Sequence, residues 1–233
     1  MPEGKLRIYS MKGRKLKKNI LELLNSDDLQ ESLDEICQLP ARQAVNPLFS
    51  FFYSTNELIR WRAITAMGAV VSGLADQDME SARVVMRRLI WNLNDESGGI
   101  GWGSPEAMGE IMARHFRLAE EYAFLLESYV NEQGNYIEHP ILQRGVLWGL
   151  GRLAHSRPGL VNHAPPFLLP FMRSQDAIHR GLAVWTAGVL DRELTKPLLQ
   201  YLSNDNAIIK IFIDMQFLEV TVGQLAREAI SKL

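Results

Sequence analysis

Leu58-Ile59-Arg60-Trp61-Arg62-Ala63-Ile64-Thr65-Ala66-Met67-Gly68 ends on a triplet that the chain uses again. Ala66-Met67-Gly68 returns as Ala107-Met108-Gly109 and, more loosely, as Gly149-Leu150-Gly151 and Thr186-Ala187-Gly188. The final glycines are 41, 42 and 37 residues apart. A companion apolar segment precedes each triplet: Pro47–Phe52, Arg88–Leu93, Phe124–Tyr129 and Phe167–Met172. A period near forty with two apolar segments per unit describes a stack of helix pairs. One pair cannot bury its apolar face alone, so pairs stack, and small residues on the second helix let neighbouring pairs approach closely.

Outward from these segments, apolar residues recur at helical spacing along the chain. Leu16, Ile20, Leu23 and Leu24 form one stripe, and Leu29, Leu33 and Ile36 the next. Short turns such as Asn25-Ser26-Asp27-Asp28 and Gln133-Gly134-Asn135 separate the stripes, which makes sequential helices antiparallel neighbours. The expected fold is all-α, a right-handed α-solenoid of about five helix pairs. Its expected organisation is a basic leader over 1–18 and one repeat domain over 19–233. The stretch Ala207–Val222 departs from this pattern, being rich in β-branched and aromatic residues around Asp214-Met215-Gln216. It reads as a short β-hairpin near 208–222, followed by a helix from Gly223 or Gln224 to Lys232, the whole of 205–233 forming an atypical end cap. The rival reading is a final apolar helix.

The phrase Leu58–Gly68, with a looser version at His179–Gly188, resembles the second helix of a HEAT-like unit in bacterial HEAT-repeat proteins, including those of the phycobilisome-lyase type. The resemblance spans roughly residues 40–205. It implies a fold and a scaffold role and no particular activity, because such arrays serve many tasks.

Charge separates the leader from the body. Residues 1–18 hold seven Lys and Arg against Glu3 alone, a net +6, so a chain of formal charge −2 leaves −8 for the remaining residues. A mildly acidic body argues against general nucleic-acid binding, which needs a basic face. The single cysteine, Cys37, excludes an internal disulfide and a cysteine metal cluster. With neither a secretory apolar run behind the basic residues nor a stretch of roughly 18–20 apolar residues, the expectation is a cytoplasmic protein without a membrane partner.

Candidate site residues fall in two groups. The first is the glycine-rich stretch 94–104, with four glycines in six positions, which presents Trp102 beside Asp95 and Glu96 before Ser104-Pro105-Glu106 opens a helix. Loops on rigid scaffolds concentrate recognition residues, although Trp102 equally suits a core gap. The second is a row of arginines on the second helices, chiefly Arg62, Arg144 and Arg180 with Arg60 and Arg152. They either line a groove with Trp61, Trp148 and Trp185 or tie successive repeats together while the tryptophans fill the core.

Chemistry is sparse. No two of the five histidines stand at i, i+4, and neither a Cys-x-x-Cys nor a Gly-x-Ser-x-Gly occurs. Gly99–Gly103 lacks the Gly-Lys-Ser/Thr of a phosphate loop. Glu106 and Glu110, one turn apart, have the donor type for a hard cation, but acids at a helix start are favoured by the dipole in any case. Neither a cofactor nor a metal is expected. The leading expectation is a non-enzymatic scaffold that binds a protein or peptide through the groove and loop 94–104. The alternative is a DNA-binding or repair enzyme like the HEAT-like alkylpurine DNA glycosylases. A bilin-lyase accessory rests on the repeat subtype alone.

Overall fold

A computed structural model describes residues 13–94, 101–190 and 193–231. Asp95, Glu96 and residues 1–12 of the basic leader lie outside the described residues. Twelve α-helices appear among those described: α1 Gly13–Leu24, α2 Leu29–Gln38, α3 Ala41–Phe51, α4 Glu57–Gln77, α5 Met79–Leu93, α6 Ser104–Arg114, α7 Phe116–Ser128, α8 Pro140–Ser156, α9 Pro165–Met172, α10 Ala177–Ala187, α11 Lys196–Leu202 and α12 Val222–Ser231. Two strands, β1 Ile208–Ile213 and β2 Gln216–Thr221, stand between α11 and α12.

The helices pair in order, α1 with α2 through α11 with α12, and the even-numbered members stack side by side as an inner row. This makes six pairs. Two of them, α1/α2 and α11/α12, lack the recurring triplet. The triplet does the packing expected of it. A Cβ at Gly109 would collide with the backbone of Gly149, so α6 and α8 touch main chain to main chain. The longest inner helix, Glu57–Gln77, is long and apolar enough to cross a membrane by length and composition, yet 61% of its apolar window is buried against its neighbours.

Side-chain caps set where α4 and α10 begin. Asn56 Oδ1 accepts from the backbone N–H groups of Leu58 (3.0 Å) and Ile59 (3.3 Å), and Asp176 Oδ1 accepts from Ile178 (2.9 Å). At α6 the cap differs from the expected serine. Gly103, at φ +75°, is the capping residue, and Ser104 lies inside the helix with its hydroxyl buried and unpartnered. A left-handed cap needs no side chain to hold it when the residue is glycine.

The hairpin forms, with Ile213 opposite Gln216 and the turn residues Asp214 (φ 49°) and Met215 (φ 63°) both left-handed, as a two-residue turn matched to strand twist requires. Its strands touch α10 and α12 at the end of the array, and it reaches further than that end. It lies back across the concave face. Trp148 Nε1 donates to Phe212 O (2.7 Å), Lys210 pairs with Glu57 on α4 (2.7 Å), and Phe212 stacks on Trp61 with ring centroids 5.1 Å apart. The aromatic residues of the strands supply the reason, because the rings that suit an end cap find a larger aromatic surface on the inner row.

Candidate functional site

The hairpin divides the concave face. On one side stand the first turns of the inner helices, and on the other their last turns. The first side encloses a cavity of about 320 Å³. Its walls are Trp61 on α4, Trp148 on α8, and Phe212 and Phe217 on the hairpin, with Trp102 at the end of the glycine-rich stretch and Glu106 on α6. Trp61 and Trp148 meet edge to face with centroids 4.7 Å apart. Trp102 keeps 38% of its surface exposed.

Glu106 is the chemical centre of this cavity. Gly145 faces its carboxyl so closely that a Cβ there would lie 2.7 Å from Oε2. The residue retains partial access along the cavity, while Oε2 itself is sealed from solvent with no hydrogen-bond partner among the described residues. Desolvation pushes the carboxyl up to about 7, against the opposing pull of its own backbone N–H and the positive charge of Arg60. A carboxyl poised in this way can accept from a bound cation or, when protonated, donate to a bound acceptor.

The cations around the cavity already have partners. Arg144 reaches Asp176 on α10 (2.7 Å), Lys210 reaches Glu57 (2.7 Å), and Arg60 approaches Glu57 at 3.6 Å. Asp176 is raised by desolvation, but hydrogen bonds from Arg144 and the Ile178 backbone hold it below its ordinary value overall.

Five of the seven sequence candidates can thus be placed relative to one another. Trp102, Glu106 and Arg144 line one cavity. Arg62 is elsewhere, with Nη1 donating to the carbonyls of Leu24 (2.9 Å) and Ser26 (2.6 Å), where it closes the end of α1. A fifth, Arg180, donates to Asp205 (2.8 Å) and to the Ser174 carbonyl (2.8 Å), which ties the fifth helix pair to the sixth. Arg152 likewise bonds Glu110 (2.7 Å). The arginine row is therefore mainly a set of ties between repeats, as the simpler sequence reading had it. The remaining two, Asp95 and Glu96, fall outside the described residues.

Glu106 and Glu110 do not form a common cation site. Glu110 lines the opposite compartment, where Arg114 Nε (2.7 Å) and Arg152 Nε (2.7 Å) both donate to it. Among the described residues, no three His, Cys, Asp or Glu side chains gather. In that second compartment His155 stacks on Trp185 at 4.7 Å. Sequence reasoning missed Gly145, Lys210, Phe212 and Phe217 as cavity residues. Lys210 had a usable signal, being the one charge in the apolar run Ala207–Ile213.

Comparison with known proteins agrees with this architecture. A HEAT-like repeat family model matches residues 140–186, which span α8 to α10. An uncharacterised protein of Archaeoglobus fulgidus is 26% identical over 170 residues, covering 69% of this chain and 82% of its own. Among solved structures, a designed armadillo repeat protein in complex with the peptide (KR)4 superimposes with a TM-score of 0.52 at 18% identity, covering 93% of this chain and 98% of that one. A second engineered protein gives 0.53 at 17% identity, covering 95% and 98%. These likenesses leave the bacterial phycobilisome-lyase subtype unsupported, and at such identities the structures speak to fold alone. The chain carries a HEAT-like repeat within an α-solenoid of the armadillo and HEAT kind.

Proposed function

We propose that this chain is a non-enzymatic binding scaffold that holds a protein or peptide partner on its concave face, at the cavity bounded by Trp102, Glu106 and Arg144. The observation that carries this reading is the cavity itself. Three sequence candidates, Trp102 and Glu106 from the glycine-rich stretch and the helix start behind it and Arg144 from α8, converge on a hollow that the core does not consume. Partly exposed tryptophan beside arginine is a composition found at binding hot spots. The solved complex of a designed armadillo protein with a peptide supports a peptide as the kind of partner. In this reading the stretch 94–104, which carries Asp95, Glu96 and Trp102, is a recognition loop, and the expected compartment is the cytoplasm. Selection from a random peptide-display library tests it. Peptides enriched on the wild type should be lost on an equally helical Trp102→Ala, Glu106→Gln variant, and peptides retained by that variant would move the partner site off this cavity.

One observation favours a second reading, a DNA-directed enzyme of the alkylpurine glycosylase kind: a carboxyl and tryptophans share one hollow. Gripping a duplex needs free cations, and Arg144, Arg152 and Arg180 are each engaged by a carboxylate here. Nanomolar binding to duplex DNA at moderate salt would make this the better account.

A further inference from the structure

Among the described residues Glu106 makes no ion pair, while the other charges that line its cavity each make one. Glu57 and Arg60 on α4, Arg144 on α8 and Lys210 on β1 are the charged groups facing it across the cavity, and each belongs to one of the pairs Arg60–Glu57, Lys210–Glu57 or Arg144–Asp176. A buried carboxylate with an unused oxygen is costly unless a donor reaches it. Trp61 and Trp148 line the same cavity, and an indole attracts a cation over its face and an apolar stem by burial. The volume, about 320 Å³, sits at the small end of ligand cavities, which run from about 300 to 1,000 Å³. It therefore suits a group of side-chain size.

We infer that this cavity binds a protonated nitrogen group, an alkylammonium or alkylguanidinium on a short apolar stem, with its N–H groups on the Glu106 carboxylate and its stem against the aromatic wall that Trp61 and Trp148 form together. For the source of that group the inference rests on the partner-binding reading above, since a lysine or arginine of a bound segment supplies it. A free amine of the same chemistry supplies it equally. Either ligand selects the ionised form of Glu106. With the carboxyl at about 7, binding strengthens as pH rises, by about tenfold between pH 6 and pH 8, and releases a proton.

The test is titration of the full chain with n-butylguanidinium, n-butylammonium and, as an anionic control, butyrate, read by tryptophan fluorescence and calorimetry at pH 6 and pH 8. The expected result is saturable binding of both cations, tighter at pH 8, absent with butyrate, and weakened at least tenfold by Glu106→Gln. Because Gln keeps the shape and removes an unpartnered charge, this variant should fold, and its circular dichroism should match the wild type. Equal cation binding by Glu106→Gln, preference for butyrate, or no pH dependence would overturn the inference. The peptide (Lys-Arg)4 separates the two sources. Binding at least tenfold tighter than the free cations assigns the group to a partner segment, and equal affinity assigns it to a free amine. Failure of the small cations while library peptides still bind through Trp102 would overturn this inference and leave the scaffold reading intact.

Discussion

Two glutamates one turn apart on the same helix meet opposite fates. Glu110 is nearly sealed and receives a guanidinium from its own helix and another from α8, at 2.7 Å each. Glu106 lies in an aromatic-walled cavity, and its Oε2 receives no hydrogen bond from the described residues. The hairpin between them makes the difference, with Glu110 in the compartment at the last turns of the inner helices and Glu106 in the one at their first turns. A paired buried charge locks neighbouring repeats together, whereas an unpaired one stores an unmet demand that a ligand can satisfy.

The contrast is sharpest in stability. Glu110→Gln strands Arg114 and Arg152 without a carboxylate and should cost about 3 kcal/mol, toward the low end for a broken buried pair because both arginines keep some solvent access. In a chain of this size the melting temperature falls by roughly 6–12 °C, and an unchanged midpoint would refute the tie between α6 and α8. Glu106→Gln should do the opposite. The folded carboxyl sits at about 7 against an ordinary 4.5, so its contribution to stability is fully present below about pH 4.5 and is lost as pH rises through about 7. At pH 8 the Gln variant should be more stable than the wild type by about 2–3 kcal/mol, and the gap should close near pH 4.5. Denaturant titrations of both proteins at the two pH values measure this, and a gap independent of pH would show that Glu106 is already satisfied.

Smaller effects probe the divider and the rim. Trp148→Phe removes the N–H that reaches the Phe212 carbonyl and should cost about 1–2 kcal/mol. Faster amide exchange should be confined to Ile208–Thr221; if protection of the hairpin is unchanged, another contact holds it. Arg144→Ala breaks a partly exposed pair with Asp176 and should cost less than about 1 kcal/mol, the smallest effect of the four. A larger loss by thermal melting would mean that the arginine ties repeats as tightly as Arg152 does.

Much of the architecture was legible from local pattern. The Ala66-Met67-Gly68 triplet marked the inner helices because close packing of helix backbones demands small residues, and the Gly109–Gly149 contact is that demand met. The hairpin was legible from its β-branched and aromatic content, although its reach along the groove to Trp61 was not. Nothing local distinguishes a strand that covers a solenoid end from one that lies along its groove. Of the site candidates, Trp102, Glu106 and Arg144 converge, while Arg62 and Arg180 serve as ties. The reason is that an arginine on a helix looks alike in sequence whether its partner is a carbonyl of the preceding repeat or a ligand.

By itself, the sequence determined the helix pairs, their period, the hairpin and the residue types available to a site, since these follow from spacing, propensity and capping between near neighbours in the chain. Only the tertiary structure decided that Phe212, from near the end of the chain, would stack on Trp61 and wall off Glu106 from Glu110. Burial and charge pairing depend on which distant segments fold back to exclude water, and spacing along the chain carries no record of that.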